Sequence, residues 1–195
     1  MKKLTRMAFR RFLWFVPFWY GLSMLLTRKR GVSVRGDFTK PADIALTLGS
    51  GHGWRRDPLS GALDVLSAPS RVQDRINKGK KIGDCDDHAM YWCVALLKSG
   101  LAERVRFSFV QMKKDNGKQS GHVVVTYDVG KEPYAVTYWA DYGAPKVYSG
   151  ALGWQWAIDV SARYFAKPIA AATIEVTLDR KGRPKFGRRR KRVRF

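Results

Sequence analysis

Apolar and polar positions follow two different periods along this chain. Over Ala89–Leu97 apolar residues recur at helical spacing and stop at Ser99-Gly100, which predicts a helix opening near Asp84-Cys85. Arg104–Met112 alternates as a strand with one apolar face, and Lys113–Ser120 reads as a polar hairpin loop. The β-branched and aromatic runs His122–Asp128 and Pro133–Ala140, split by a polar turn at 129–132, predict an antiparallel hairpin. Trp154–Phe165 predicts a further helix and Thr173–Leu178 a last strand. Upstream, Arg71–Lys78 and the short piece Asp64–Leu66 have helical character, and Pro41–Leu48 is apolar without a defined type. Helices segregated from an antiparallel sheet make an α+β domain. Neither repeats nor low-complexity linkers interrupt it.

The candidate chemistry sits on this frame. Cys85 falls in the first turn of its helix, behind Asp84 as N-cap and beside Asp86 and Asp87, which suit the positive end of the helix dipole. The same partial charge favours thiolate, while the neighbouring acids oppose it. Counting outward from the 129–132 turn sets His122 opposite residues 139 to 141, and so puts Asp141 beside it. A thiol at a helix start, an imidazole to take its proton and a carboxylate to orient that imidazole are the parts of an activated cysteine nucleophile.

Gly83-Asp84-Cys85-Asp86-Asp87, Gly121-His122 and Asp141 together resemble the transglutaminase-like cysteine protein superfamily, which includes bacterial transglutaminase-like cysteine proteinases. The likeness covers roughly residues 50 to 145 and takes in Trp54-Arg55-Arg56-Asp57-Pro58-Leu59 ahead of the cysteine. It implies a papain-like, transglutaminase-like core with the nucleophile helix packed on an antiparallel sheet. It also implies thiol-dependent acyl chemistry on peptide or amide bonds, with Cys85, His122 and Asp141 as the catalytic trio. His88 stands where the family often carries an aromatic residue. The backbone N–H of Cys85 is the expected first oxyanion donor, with Trp54 or Gln73 as candidates for the second.

Other chemistries find less support in the chain. Cys85 and His88 are three residues apart and share a helix face as possible metal ligands, yet a structural zinc site needs four ligands and no C-x-x-C pair is present. The glycines of Gly49-Ser50-Gly51-His52-Gly53 lack the Lys-Ser/Thr that would follow in a phosphate cradle. No metal and no cofactor is therefore expected. Cys93, two turns beyond Cys85 and about 12 Å along the axis, is a core position out of disulfide reach. Two thiols without a disulfide framework fit a reducing compartment, cytoplasmic or membrane-associated, and do not exclude an exported enzyme.

Charge divides the chain further. The net charge is +21, yet residues 1–36 hold nine Lys or Arg and residues 180–195 hold ten, both without an acid. Removing those nineteen from thirty-seven leaves eighteen basic against sixteen acidic residues, a nearly neutral middle. This predicts a basic aromatic N-terminal arm over 1–36, a cysteine domain over 37–179 and a basic tail over 180–195. In the arm, the apolar run Phe12–Leu26 flanked by cations would span about 22 Å as a helix, short of a roughly 30 Å hydrocarbon core. It fits an interfacial or tilted anchor, or an aromatic face packed on the domain. The tail Arg180–Phe195 offers little to bury and is expected to be flexible. The expected partners are a peptide or protein substrate at the thiol, and an anionic membrane surface or nucleic acid at the two arms. The alternative is a noncatalytic scaffold that binds through those arms.

Overall fold

A computed structural model describes residues 18–49, 66–131, 134–141, 146–148 and 153–195 of the chain. The centre is a 14-residue helix, α4 (Cys85–Lys98), in which every residue from Asp86 to Leu96 is buried. A helix apolar on all sides must be enclosed on all sides. One flank packs on the sheet, and the others meet α1 (residues 18–27), α2 (Pro41–Gly49) and α3 (Pro69–Asn77). The short segment Pro41–Leu48 thus resolves as helix, its first turn held by Asp43, which accepts from the N–H groups of Thr39 and Lys40.

The sheet has six antiparallel strands in the order β4-β3-β2-β1-β5-β6. They are β1 (Arg104–Lys114), β2 (Gln119–Val129), β3 (Val136–Ala140), β4 (Lys146–Tyr148), β5 (Ala166–Leu178) and β6 (Pro184–Arg194). Strand period assigns the two faces. Val105, Phe107 and Phe109 of β1, with Val123, Val125 and Tyr127 of β2, face α4 in the main core. Val110, Met112 and Val124 face the other way, onto Trp156, Ala157 and Val160 of α5 (Gln155–Arg163) in a smaller core. The described fold is therefore α+β, with one sheet between α4 and α5.

Two expectations about the termini change. Thr173–Leu178 belongs to a longer β5 and is not the last strand. The tail expected to be flexible is β6, the outer strand of the sheet, paired with β5 from Leu178↔Pro184 to Ala170↔Arg194. Phe186 supplies the burial that a count of charges hides. Its ring lies 5.6 Å from Phe107 and 6.4 Å from Tyr20, joining β6 to the main core, while Val193 packs on the smaller one. Asp179 closes the β5–β6 turn by accepting the N–H groups of Lys181 and Arg183, both at 2.9 Å, with Gly182 at φ 68. The density of Lys and Arg suits an edge strand, where charge opposes pairing with a further chain.

The described part of the N-terminal arm packs on the domain through one stripe. Tyr20, Ser23 and Met24 of α1 are buried, and Tyr20 meets Phe107 and Phe109 at 5.9 and 6.4 Å. Among the described residues no helix is long and apolar enough to cross a membrane. Phe12–Pro17 of the apolar run lies outside the described residues.

Candidate active site at the amino end of the central helix

The loop before α4 is shaped by Asp87. Its Oδ1 accepts the Ser67 N–H at 2.5 Å, and its Oδ2 lies 3.7 Å from Arg75 Nη1, a guanidinium that also donates to the Ile82 carbonyl. A Cβ on Gly83 would sit 1.8 Å from Asp87 Oδ2, so the glycine of Gly83-Asp84-Cys85 is demanded by a carboxylate four residues on. Asp84 holds the N-cap position, but its side chain makes no cap bond. Asp86 accepts the Asp87 N–H at 2.9 Å. The acids expected to complement the helix dipole thus also fix the chain segments around Cys85. Burial raises the pKa of Asp87, against the pull of the Ser67 N–H and Arg75. The carboxylates of Asp84, Asp86 and Asp87 lie within 4.8 Å of one another, with Asp87 already engaged as described.

His122 and Asp141 meet as the hairpin predicted, through a different register. The β2–β3 pairing runs from Val129↔Val136 to Val125↔Ala140, so Asp141 continues opposite Val124, two residues from His122. The shift is even. His122 and Asp141 therefore share a face and meet on the diagonal, with His122 Nε2 2.8 Å from Asp141 Oδ2 and both side chains buried. Trp92 of α4 donates from Nε1 to the Asp141 carbonyl at 2.8 Å, tying that corner to the helix two turns beyond Cys85.

Sequence reasoning missed Tyr164. It caps α5, and its hydroxyl lies 3.0 Å from His122 Nε2 and 3.3 Å from Asp141 Oδ2, its ring 4.8 Å from the imidazole. Burial first, then the Asp141 charge, raise its pKa, and the charge of Cys85 adds to this, so the hydroxyl stays protonated. His122, Asp141 and Tyr164 accordingly share one end of the sheet, Tyr164 arriving from α5, and Cys85 opens α4 close enough for its charge to act on Tyr164. No motif marks Tyr164. The only signal was its position at the end of a predicted helix, forty-two residues from His122.

His88 lies beside the same cluster. Burial pushes its imidazole down to about 4, opposed by the charges of Asp141 and Asp84, so it is neutral at pH 7. The two thiols separate by exposure: Cys85 is partly exposed, whereas Cys93 is buried and burial raises its pKa. Gln73 is buried and already bonded through both ends of its amide. Its Oε1 accepts from Tyr91 Oη at 2.7 Å and the Arg35 N–H at 3.1 Å, and its Nε2 donates to Asn77 at 2.9 Å. That places it in a joint between α3, α4 and residues 33–35. Trp54 lies outside the described residues. The other tryptophans divide as core residues do: Trp92, Trp139 and Trp156 are buried, and Trp154 packs at the edge of the smaller core.

No protein-family model matches the sequence, and no curated protein matches it either. Among solved structures, LapG of Legionella pneumophila in an EGTA-treated form is 18% identical with a TM-score of 0.41, the match covering 78% of this chain and 69% of that one. The calcium-bound form of LapG is 22% identical with a TM-score of 0.39, over 68% of this chain and 66% of the other.

Proposed function

We propose that the protein is a thiol-dependent hydrolase, a cysteine peptidase or amidase of transglutaminase-like type, with Cys85 as nucleophile, His122 as base and Asp141 as the group that orients His122. The observation that carries this reading is the buried 2.8 Å bond between His122 Nε2 and Asp141 Oδ2 at the end of the sheet that Cys85 also reaches. With Asp141 at Nε2, the other ring nitrogen, Nδ1, takes the thiol proton. The thiolate attacks an amide carbonyl, and the Cys85 N–H at the helix start stabilises the oxyanion. His122 returns the proton to the leaving amine, and water resolves the thioester; an amine in place of water would make the same site an acyl transferase.

The test is the rate of iodoacetamide labelling at Cys85 and Cys93, read by peptide mass spectrometry from pH 5 to 9 in wild type and His122→Ala. Fast labelling of Cys85 alone at or below neutral pH, lost in His122→Ala, is the expected result. Slow labelling of Cys85 that ignores His122 would overturn the reading. A panel of peptide and acyl-donor substrates, with Cys85→Ala as control, then defines the reaction.

A further inference from the structure

The opposite end of α4 carries a different kind of site. The last turn of α4, the end of α1, the start of α3 and the β5–β6 turn enclose a cavity of about 540 Å³. Six basic side chains line it: Arg28, Lys29, Lys98, Lys181, Arg183 and Lys185. The one acid in the lining, Asp179, accepts the Arg183 N–H, then Arg183 Nε at 2.6 Å and the Lys181 N–H, which together hold its carboxyl well below the ordinary carboxylate range. Lys98 is fixed in the wall, its Nζ donating to Ser33 Oγ at 2.7 Å and to the Val34 carbonyl at 3.3 Å. The cavity thus gathers positive charge that the fold itself does not neutralise.

Its rim continues into an apolar surface. α1 buries Tyr20, Ser23 and Met24, and its other side presents Phe18, Leu22, Leu25 and Leu26, exposed by 68, 38, 64 and 76%. These follow helical spacing, and Leu25 also lines the cavity. An exposed apolar stripe beside a ring of cations needs a partner that is apolar and anionic at adjoining depths. Duplex nucleic acid offers phosphates without the apolar layer, whereas an anionic bilayer offers both. We propose that this face docks on an anionic phospholipid bilayer, the cavity taking one phosphate-bearing headgroup while Phe18, Leu22, Leu25 and Leu26 enter the interface. α4 then sets Cys85 about 20 Å from the headgroup cavity.

The protein, residues 1–195, is tested by co-sedimentation with vesicles of phosphatidylcholine alone and with one third phosphatidylglycerol, at low and at physiological salt. Binding to the mixed vesicles and not to the neutral ones is expected. Lys29→Gln with Lys181→Gln should weaken it about 25-fold, at roughly fivefold per cation. Leu22→Gln with Leu26→Gln should weaken it at least tenfold. Lys113→Gln with Lys118→Gln on the exposed β1–β2 hairpin, and Leu46→Gln on the exposed side of α2, serve as matched controls and should change binding less than threefold. Far-UV circular dichroism checks that each variant is folded. Equal losses in cavity and control variants, unchanged binding in the cavity variants, or no vesicle binding at all would each overturn the proposal. So would inorganic phosphate at 10 mM abolishing vesicle binding, which marks a free-anion site, or tighter binding to duplex DNA that spares the leucine variants.

Discussion

The two ends of α4 solve opposite problems. At the amino end, four carboxylates, two imidazoles, a thiol and a phenol gather, most of them buried, and His122, Asp141 and Tyr164 bond to one another. At the carboxyl end, six cations gather around an open cavity against a single acid. In low dielectric a polar group must find a protein partner, so the amino end is specified geometrically, residue against residue. In water the charges are screened and exchangeable, so the carboxyl end is specified by number and sign. The contrast teaches that single substitutions should act sharply at the first and gradually at the second.

The strongest attempt to break the contrast is Asp141→Asn. It should slow Cys85 labelling at neutral pH by about 10- to 30-fold, because the imidazole loses the partner that sets its tautomer and the thiol returns toward its ordinary pKa of about 8.5, while global stability changes far less. Rates from quenched labelling time courses, set beside urea unfolding of the same variant, separate the two effects; a fall in both together would show that Asp141 only holds the fold.

Gly83→Ala comes next, since its Cβ would overlap Asp87. It should cost about 3 kcal/mol in urea unfolding, far above a surface glycine change, and a less than additive loss in Gly83→Ala with Asp87→Ala, which removes the overlapping carboxylate, would tie the loss to that contact.

The pH dependence of stability is the third test. His88 has its pKa depressed from near 6.5 to about 4 by burial, so its contribution is complete above 6.5 and is lost as pH falls toward 4. Between pH 7 and pH 5 the wild type should lose about 2 kcal/mol relative to His88→Asn. Asp87, whose pKa burial raises, acts in the opposite sense, its contribution growing as pH falls, and it cancels because both proteins carry it. Parallel stability curves for the two proteins would mean that His88 is hydrated.

The smallest effect belongs to the strand at the edge. Phe186→Ala should cost about 2 kcal/mol and speed hydrogen exchange along β6, yet leave Cys85 labelling within twofold of wild type. A large change in labelling would join two regions that the packing keeps apart.

Some of this was legible in the order of residues and some was not. The helix over Cys85–Lys98, the hairpin that unites His122 with Asp141, and the strand beginning at Arg104 all rest on local periodicity, which a short window contains. The register was read two to four residues out, because the chain between Val129 and Val136 spends more residues than a tight turn. The pairing survived because an even shift keeps both side chains on one face. The bonds of Gln73 were missed since nothing near it in sequence announces Tyr91 or Arg35 as partners. β6 was misread because composition weighed the ten cations of residues 180–195 and overlooked Phe186 and the Asp179–Gly182 turn signal.

By itself, then, the sequence determined the elements and the spacing that sets a thiol at a helix start and a histidine and an aspartate across a hairpin, since those depend on residues within a few positions of one another. Only the tertiary structure decided that Tyr164 joins them, that Gly83 answers to Asp87, that Arg180–Phe195 closes a sheet, and that its cations converge with Lys98 and α1 on one cavity. Each of these depends on burial shared between distant segments, and burial is a property of the folded chain alone.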